Sequence, residues 1–313
     1  MWESIDHIFK SSSEDTETMK QLFGYFLIAG GFVFAIVLGV TFYILRKFKV
    51  SDHSKQHFDT HESHKVEYLT IGFASVLVVS FLVLAIGAIN KIQTPIPEGK
   101  EPDIIITGHQ WWWEINYPSE GVVAANELHI PIEKRLLVRL ESKDVIHDWY
   151  VPALGRKMDM IPGQSNYVWM QALEPGHYDG ACNEYCGAQH AWMRILVVAH
   201  EQNEYEKWLA DQKKKASIPQ TALQKKGAKI FQDKVCSNCH AIQGTGAVAG
   251  IGPDLTHLGS RETLLGGKLR NGPGSLKDWL RDPQKVKPGA HMPDFLFTEE
   301  ELNALTAYLY NLK

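Results

Sequence analysis

The 313-residue chain lacks an excess of charge, with a formal net value of only −4. That leaves no basic surface to attract a phosphate backbone, so no nucleic-acid partner is expected. A basic beginning is missing too. Residues 1–20 are polar and acidic, with Glu3, Asp6, Glu14, Asp15 and Glu17, unlike a cleaved export signal. Cysteine is scarce, four in all, and none lies near the start, so no lipid-bearing N-terminal cysteine is expected. The four fall in two close pairs, Cys182/Cys186 and Cys236/Cys239, and none is left over. Each pair sits in a metal or cofactor motif, and no structural disulfide is expected. Two long stretches lack charge altogether. They are residues 21–45, which number 25, and residues 68–89, which number 22 and include no proline.

Either uncharged stretch, as a helix, spans roughly 33–37 Å, enough to cross a bilayer core. An apolar core helix with no polar face is unusual in a chain of this size, so both are read as transmembrane. The short connection between them carries Arg46, Lys47, Lys49, Lys55 and Lys65. Positive loops stay inside, which puts this loop in the cytoplasm and both termini outside. It also carries His53, His57, His61 and His64, read as a solvated polar loop rather than a helical metal face. Glu67 stands at the cytoplasmic start of the second helix. A carboxylate there is either a functional site or a residue snorkelling at the interface.

Residues 180–193 read GACNEYCGAQHAWM. Cys182 and Cys186 are four apart, His190 follows four later and Met193 three after that. Thiolates, imidazole and thioether form a soft ligand set, which selects copper or iron–sulfur over hard ions. Zinc also suits Cys and His but seldom takes Met. Two bridging thiolates would hold two coppers close enough to share one electron. The competing reading is a disulfide, plausible in an exported domain. A further ligand must come from elsewhere, and His147 in VIHDWYVPALG is the best candidate.

A Pro-rich connector at 91–101 leads into a β-rich region. Residues 103–107, 134–141, 166–171 and 193–199 carry strand patterns, and Pro and Gly turns punctuate them. Their density suggests a sandwich or Greek-key barrel. One ligand from mid-domain and the rest from a late loop is the cupredoxin order. In GHQWWWEINYP, alternation puts Trp111 and Trp113 on one face and Trp112 on the other, so the three are not expected to be core together. Residues 201–215 read as a polar helix, and a short Pro-containing linker follows.

Residues 218–231 look helical and lead into Cys236, Cys239 and His240, a C-x-x-C-H motif. This spells covalent haem c with His240 as the proximal iron ligand, against a zinc or redox C-x-x-C as the alternative. The sixth ligand must come later. Met292 is favoured because a Met/His pair raises the potential, and His257 and His291 are the rivals. A short helix is expected at 275–282. Thr298 with Glu301 forms a capping box for a terminal helix reaching about Leu312.

Taken together, these segments resemble cytochrome c oxidase subunit II. GACNEYCGAQHAWM is similar to its binuclear copper (CuA) loop, VIHDWYVPALGRKMDMIPG to its first-ligand segment and GHQWWWEINYP to its aromatic segment. The region beyond 219, with GPDLTHLGSR and PQKVKPGAHMP, resembles the cytochrome c domain fused to subunit II in caa-type oxidases. The resemblance covers essentially the whole chain. It implies a two-helix transmembrane hairpin, an all-β cupredoxin-like Greek-key domain and an all-α class I cytochrome c domain. The expected divisions are an external segment at 1–20, the hairpin at 21–92 with a cytoplasmic loop at 46–67, the copper domain at 93–216 and the cytochrome domain at 217–313.

By the same resemblance, Cys182 and Cys186 bridge two copper ions. His147 and Met193 complete one, and His190 with the backbone carbonyl of Glu184 completes the other. The Glu184 side chain would face a magnesium ion, Trp111 would be the port by which electrons enter, and Glu67 would sit at the mouth of a proton path. Thr70, Ile71 and the missing proline depart from the family's second-helix pattern. A Trp stands at 112 where the family often has Tyr.

The implied activity is that of an electron-carrying subunit of a proton-pumping terminal oxidase in the inner (cytoplasmic) membrane of a bacterium. Haem c would take electrons from a cytochrome or quinol-oxidising complex. The copper pair would pass them to haem in catalytic subunit I, where oxygen is reduced to water. A subunit of a copper-bearing nitric oxide reductase, a free-standing membrane-tethered carrier and a copper-delivery protein are the competing readings.

Overall fold

The computed structural model describes residues 11–49 and 64–313. Glu3, Asp6, Lys55 and the loop histidines His53, His57 and His61 lie outside the described residues. Two compact units emerge, one spanning Glu17–Thr94 and the other containing the residues before Glu17 and those from Pro95 onward.

The first unit is a hairpin of two long helices, α1 (Glu14–Lys47) and α2 (His64–Ile92). Both outrun their uncharged stretches at each end. Glu14, Asp15 and Glu17 sit at the α1 N-terminus and Arg46 and Lys47 in its last turn, so acid and base complement the helix dipole. No side chain of α2 is buried, and both helices are long and apolar enough to cross a membrane. Phe26 meets Phe81 edge to face at 5.8 Å. With no proline, α2 runs unbroken. Glu67 lies in its first turn, 3.3 Å from His64 Nδ1.

In the second unit a β domain comes first, built from ten strands. They are β1 (Ile104–His109), β2 (Trp112–Tyr117), β3 (Val122–Ala125), β4 (Glu127–Pro131), β5 (Leu136–Ser142), β6 (His147–Tyr150), β7 (Met158–Met160), β8 (Asn166–Met170), β9 (Gly176–Cys182) and β10 (Arg194–His200). They form two five-stranded sheets, ordered β3-β2-β1-β5-β8 and β4-β10-β9-β6-β7. Parallel β1/β5 and β4/β10 pairs tie strands distant in sequence. Alternate residues such as Ile104, Ile106, Ile115, Leu128, Ile130 and Leu140 fill the space between sheets. Each fully buried aliphatic there contributes about 1.5–3 kcal/mol of transfer free energy. A short helix, α3 (Gln202–Gln212), closes one end, with Trp208 edge-on to Tyr117 at 5.4 Å. It stops before Lys213–Lys215, and Lys213 pairs instead with Glu120 at 2.6 Å. Met193 precedes β10 rather than opening it.

The tryptophan triplet corrects the expectation. Trp111, Trp112 and Trp113 are all buried. Alternation still holds inside the β domain, because only Trp111 and Trp113 belong to its apolar core. Trp112 is covered from the other face. His109 stacks on it at 4.2 Å, and it lines a cavity of the C-terminal domain.

The C-terminal domain contains α4 (Ala222–Asp233), a two-strand ribbon of β11 (Thr263–Leu264) and β12 (Leu269–Arg270), α5 (Pro273–Arg281), α6 (Pro283–Val286) and α7 (Glu299–Tyr310). Helix α4 begins later than the pattern implied because Thr221 caps it. Its hydroxyl accepts from Gln224 N while Gln224 answers the Thr221 amide. Thr298 and Glu301 do the same for α7. Helices α4 and α7 pack closely at Gly227, where an added Cβ would lie 2.0 Å from the Ala304 carbonyl oxygen. Two apolar helices, a two-sheet β sandwich and a smaller, mainly helical C-terminal domain make up the described residues.

Candidate functional site

Cys182 ends β9, where Trp149 pairs with it from β6 and its amide donates to Met193 O at 2.9 Å. Cys186, His190 and Met193 follow in the loop that connects β9 to β10. His147 opens β6 beneath them. Gly108 on β1 must be glycine for this, because an added Cβ would lie 2.8 Å from the His147 ring.

Donor atoms converge from all these segments. The Cys182 and Cys186 sulfurs stand 3.8 Å apart, and Cys182 Sγ lies 3.9 Å from His147 Nδ1 and 3.3 Å from the Glu184 carbonyl oxygen. Cys186 Sγ lies 3.6 Å from His190 Nδ1 and 3.8 Å from Met193 Sδ. All four cysteines are free thiols, and 3.8 Å is far beyond a disulfide bond. His147, Cys182 and Cys186 are buried and hold their donor atoms within 4.8 Å of one another. The Glu184 side chain is exposed, and its carboxylate accepts from Tyr185 N at 3.3 Å.

The electrostatics suit a cation. A hydrogen bond from Cys186 is the largest influence on Cys182 and brings its thiol well down, so the pair readily carries a thiolate. That same bond, with burial, pushes Cys186 up. Burial lowers His147, but hydrogen bonds to Cys182 and Asp144 outweigh it and the net direction is up. Asp144 Oδ1 lies 2.8 Å from His147 Nε2, which fixes the ring with Nδ1 toward the sulfurs. Two nitrogens, two sulfurs, a thioether and a carbonyl fit a soft metal.

Two residues grip the loop from outside. Trp111 Nε1 donates to Cys186 O at 2.9 Å, and Gln110 Nε2 donates to the same oxygen at 2.8 Å. Gly187 adopts a φ of +112°, and a Cβ there would press on both. Sequence reasoning missed Asp144 and Gln110. Asp144 stands three residues before His147, a spacing that could have flagged it; Gln110 adjoins Trp111 with no signal of its own.

The C-x-x-C-H segment borders a cavity of about 260 Å³, lined among others by Cys236, Cys239, His240, Met292, Phe231 and Leu309. His240 Nδ1 lies 2.8 Å from Pro253 O, leaving Nε2 for an iron. Burial lowers His240, which keeps the imidazole neutral. Gly252 lies against that ring, and an added Cβ would come within 2.6 Å of it. Cysteines, a free imidazole nitrogen and an apolar hollow fit a covalent haem. Met292 lines the cavity; His257 does not, since its Nε2 is 3.1 Å from Gln212 O. His291 lines the rim with its ring 5.1 Å from that of Trp111. Gln110, Trp111 and Trp112 also line the cavity, so it opens onto the β domain. Glu67 belongs to the hairpin and contacts His64.

The family described as cytochrome c oxidase subunit II, periplasmic domain, matches residues 120–200, and that described as cytochrome c matches 224–313. The chain is similar to cytochrome c oxidase subunit 2 of Alkalihalophilus pseudofirmus, 34% identical over 92% of this chain and 85% of the relative. It is also similar to that of a Bacillus species, 30% identical over 80% of this chain and 75% of the relative. Among solved structures, the periplasmic domain of cytochrome oxidase subunit II of Bradyrhizobium japonicum is 32% identical, covering 36% of this chain and 96% of that one with a TM-score of 0.35.

Proposed function

This chain belongs to the cytochrome c oxidase subunit II family, and we propose that its metal centre is a pair of copper ions bridged by Cys182 and Cys186. It is the subunit through which electrons enter a bacterial terminal oxidase. Its partners are catalytic subunit I and the other oxidase subunits, and it carries copper in one domain and haem c in the other.

His147 and Met193 are assigned to one copper, and His190 with the Glu184 carbonyl to the other. Their convergence on the two sulfurs is the observation that carries this reading. When bound, such a pair supplies a one-electron store shared between two metals. The residues keep rearrangement small. Asp144 holds His147, while Trp111 and Gln110 hold the loop carbonyl of Cys186. The exposed Glu184 carboxylate is assigned to a magnesium ion at the boundary with subunit I. Cys236 and Cys239 tether the haem, with His240 and Met292 on its iron. Trp111, touching both the cavity and the Cys186 carbonyl, is assigned as the port by which electrons reach the copper. Glu67 is assigned to the mouth of a proton path. The domain limits are placed at 93–216 and 217–313, with both termini on the outer face and the 46–67 loop in the cytoplasm. A cytochrome or quinol-oxidising complex is the assigned donor.

The test is to purify the complex and record optical and spin-resonance spectra with oxygen uptake. A mixed-valence copper-pair signal, a c-type band and oxygen consumption are expected together. A metal-replete sample without the pair signal rejects the copper assignment. Nitric oxide turnover without oxygen turnover moves the chain to a reductase.

A further inference from the structure

Several polar contacts join the cytochrome domain to the β domain. Lys287 Nζ donates to Trp111 O at 2.8 Å and to Leu265 O at 3.2 Å. The Glu127 carboxylate accepts from Glu262 N at 3.0 Å, Thr263 N at 2.6 Å and the Thr263 hydroxyl at 2.7 Å. At the ribbon's tip, Arg194 N donates to Gly266 O at 3.0 Å, and Lys268 Nζ lies 4.5 Å over the Trp192 ring. The approach is close enough that a Cβ on Gly267 would lie 3.0 Å from that of Arg194.

Lys287 stands out. It is 4% exposed, and among the described residues it forms no ion pair. Burying an ammonium on two carbonyls alone costs stability compared with an apolar residue of similar volume. Burial lowers it to about 8, so it remains largely protonated at neutral pH. Its place points to another role. Both of its acceptors belong to residues that line the cavity with His240 and Met292. Trp111 is thereby pinned at two ends, its carbonyl by Lys287 and its indole N–H by the Cys186 carbonyl.

We infer that Lys287 is a positioning residue that clasps the cytochrome domain to Trp111, so that electrons cross between the two domains through a fixed contact and not after a domain swing. This rests on the functional reading above. In each transfer one electron leaves the cytochrome domain and one reaches the copper domain. No bond is made or broken and no proton moves. Tunnelling rates fall steeply with separation, so a clasp that holds Trp111 against the crevice sets the rate. Glu127 is the second anchor, on the far side of the ribbon.

The experiment compares wild type, Lys287→Met and Lys287→Arg in the assembled oxidase. It measures light-triggered electron transfer between the c-type and copper absorptions, and hydrogen exchange of the Arg194 amide, which the docked ribbon protects. Wild type is expected to transfer at a rate independent of solvent viscosity. Lys287→Met should slow transfer on the order of tenfold to a hundredfold and make it viscosity-dependent. Its Arg194 amide should exchange at least about tenfold faster. Midpoint potentials should stay at wild-type values and the melting temperature should not fall, which separates positioning from a merely structural role. Lys287→Arg, still able to donate to two carbonyls, should recover most of the rate. A viscosity-dependent wild type overturns the inference, and so does a Met variant with unchanged transfer and exchange. Should the Met variant fail to assemble, the wild-type viscosity series still decides. If the copper or haem signal is missing altogether, the functional reading fails, while the Arg194 exchange in the wild-type chain still tests the clasp.

Discussion

Which nitrogen each imidazole leaves free decides what it can do. Asp144 occupies Nε2 of His147, so Nδ1 turns to the sulfurs; Pro253 occupies Nδ1 of His240, so Nε2 is left for iron. The residues proposed as ligands were singled out in the sequence because soft donors at fixed spacing are rare. Their second partners were not, because a carbonyl such as Pro253 O has no side-chain signature. His109 shows a different use of the same group. It is half-buried and stacked on Trp112, and desolvation lowers it to about 4. It is therefore neutral at pH 7, and its 3.8 Å approach to Glu114 is no ion pair there. Between about pH 4 and 6.5 the unfolded chain binds a proton at this site that the folded chain refuses, so stability rises with pH across that window. The contribution is complete above 6.5 and lost as pH falls toward 4. Its ceiling is roughly 3 kcal/mol, less whatever solvent screening removes. The expected outcome is that His109→Gln flattens part of the acid-side fall in melting temperature between pH 6.5 and 4. The difference from wild type should stay constant above pH 7. Parallel melting curves for the two proteins throughout the acid range would show that His109 has no part in it.

Helices that carry their own start signals were readable to within a few residues. The capping box at Thr298/Glu301 is an example; the matching one at Thr221/Gln224 was overlooked, and α4 was consequently begun too early. Strands were placed by alternation, which reports one face at a time. That is why the burial of Trp112 was missed: its cover comes from His109 and from a domain more than a hundred residues away. Tertiary approach is equally invisible at Gly227. Replacing glycine by alanine inside an exposed helix would gain about 1 kcal/mol of propensity. Here the new methyl would meet the Ala304 carbonyl oxygen at 2.0 Å and Tyr308 Cβ at 2.7 Å. A backbone carbonyl within a helix cannot step aside as a flexible side chain can, so α4 and α7 must separate. Overpacking of this kind costs about 1–3 kcal/mol or more and outweighs the propensity. Gly227→Ala should lower the cytochrome domain's urea midpoint and reduce its covalent haem content. Gly246→Ala, with open space around it, serves as the control and should match wild type. Equal midpoints for both variants would mean that the α4–α7 contact yields more readily than its geometry implies.

At the scale of the whole molecule, the two uncharged stretches were the plainest feature of the sequence, since charge is what a bilayer refuses. Their sidedness rests on the short loop between them. Arg46, Lys47, Lys49, Lys55 and Lys65 crowd that loop, whereas the last turn of α2 and the stretch after it offer only Lys91 and Lys100 before the β domain begins. Cations within 15–20 residues of a span dominate orientation, and acidic residues weigh little. On the topology proposed above, the loop is retained in the cytoplasm and both metal domains lie on the outer face. On that proposal the C-x-x-C-H motif and the cysteine pair would both face an external electron donor. Single cysteines placed at Lys49 and at Ser119 can be probed with a membrane-impermeant thiol reagent, using the unsubstituted chain to account for its four native thiols. Ser119→Cys should react in intact spheroplasts, and Lys49→Cys only after the membrane is opened. The reverse pattern would place the metal domains in the cytoplasm. Modification at both sites without permeabilisation would mean that at least one helix does not span. Either result would break the link between the charge asymmetry of this loop and the proposed approach of electrons to Trp111 from the outer face.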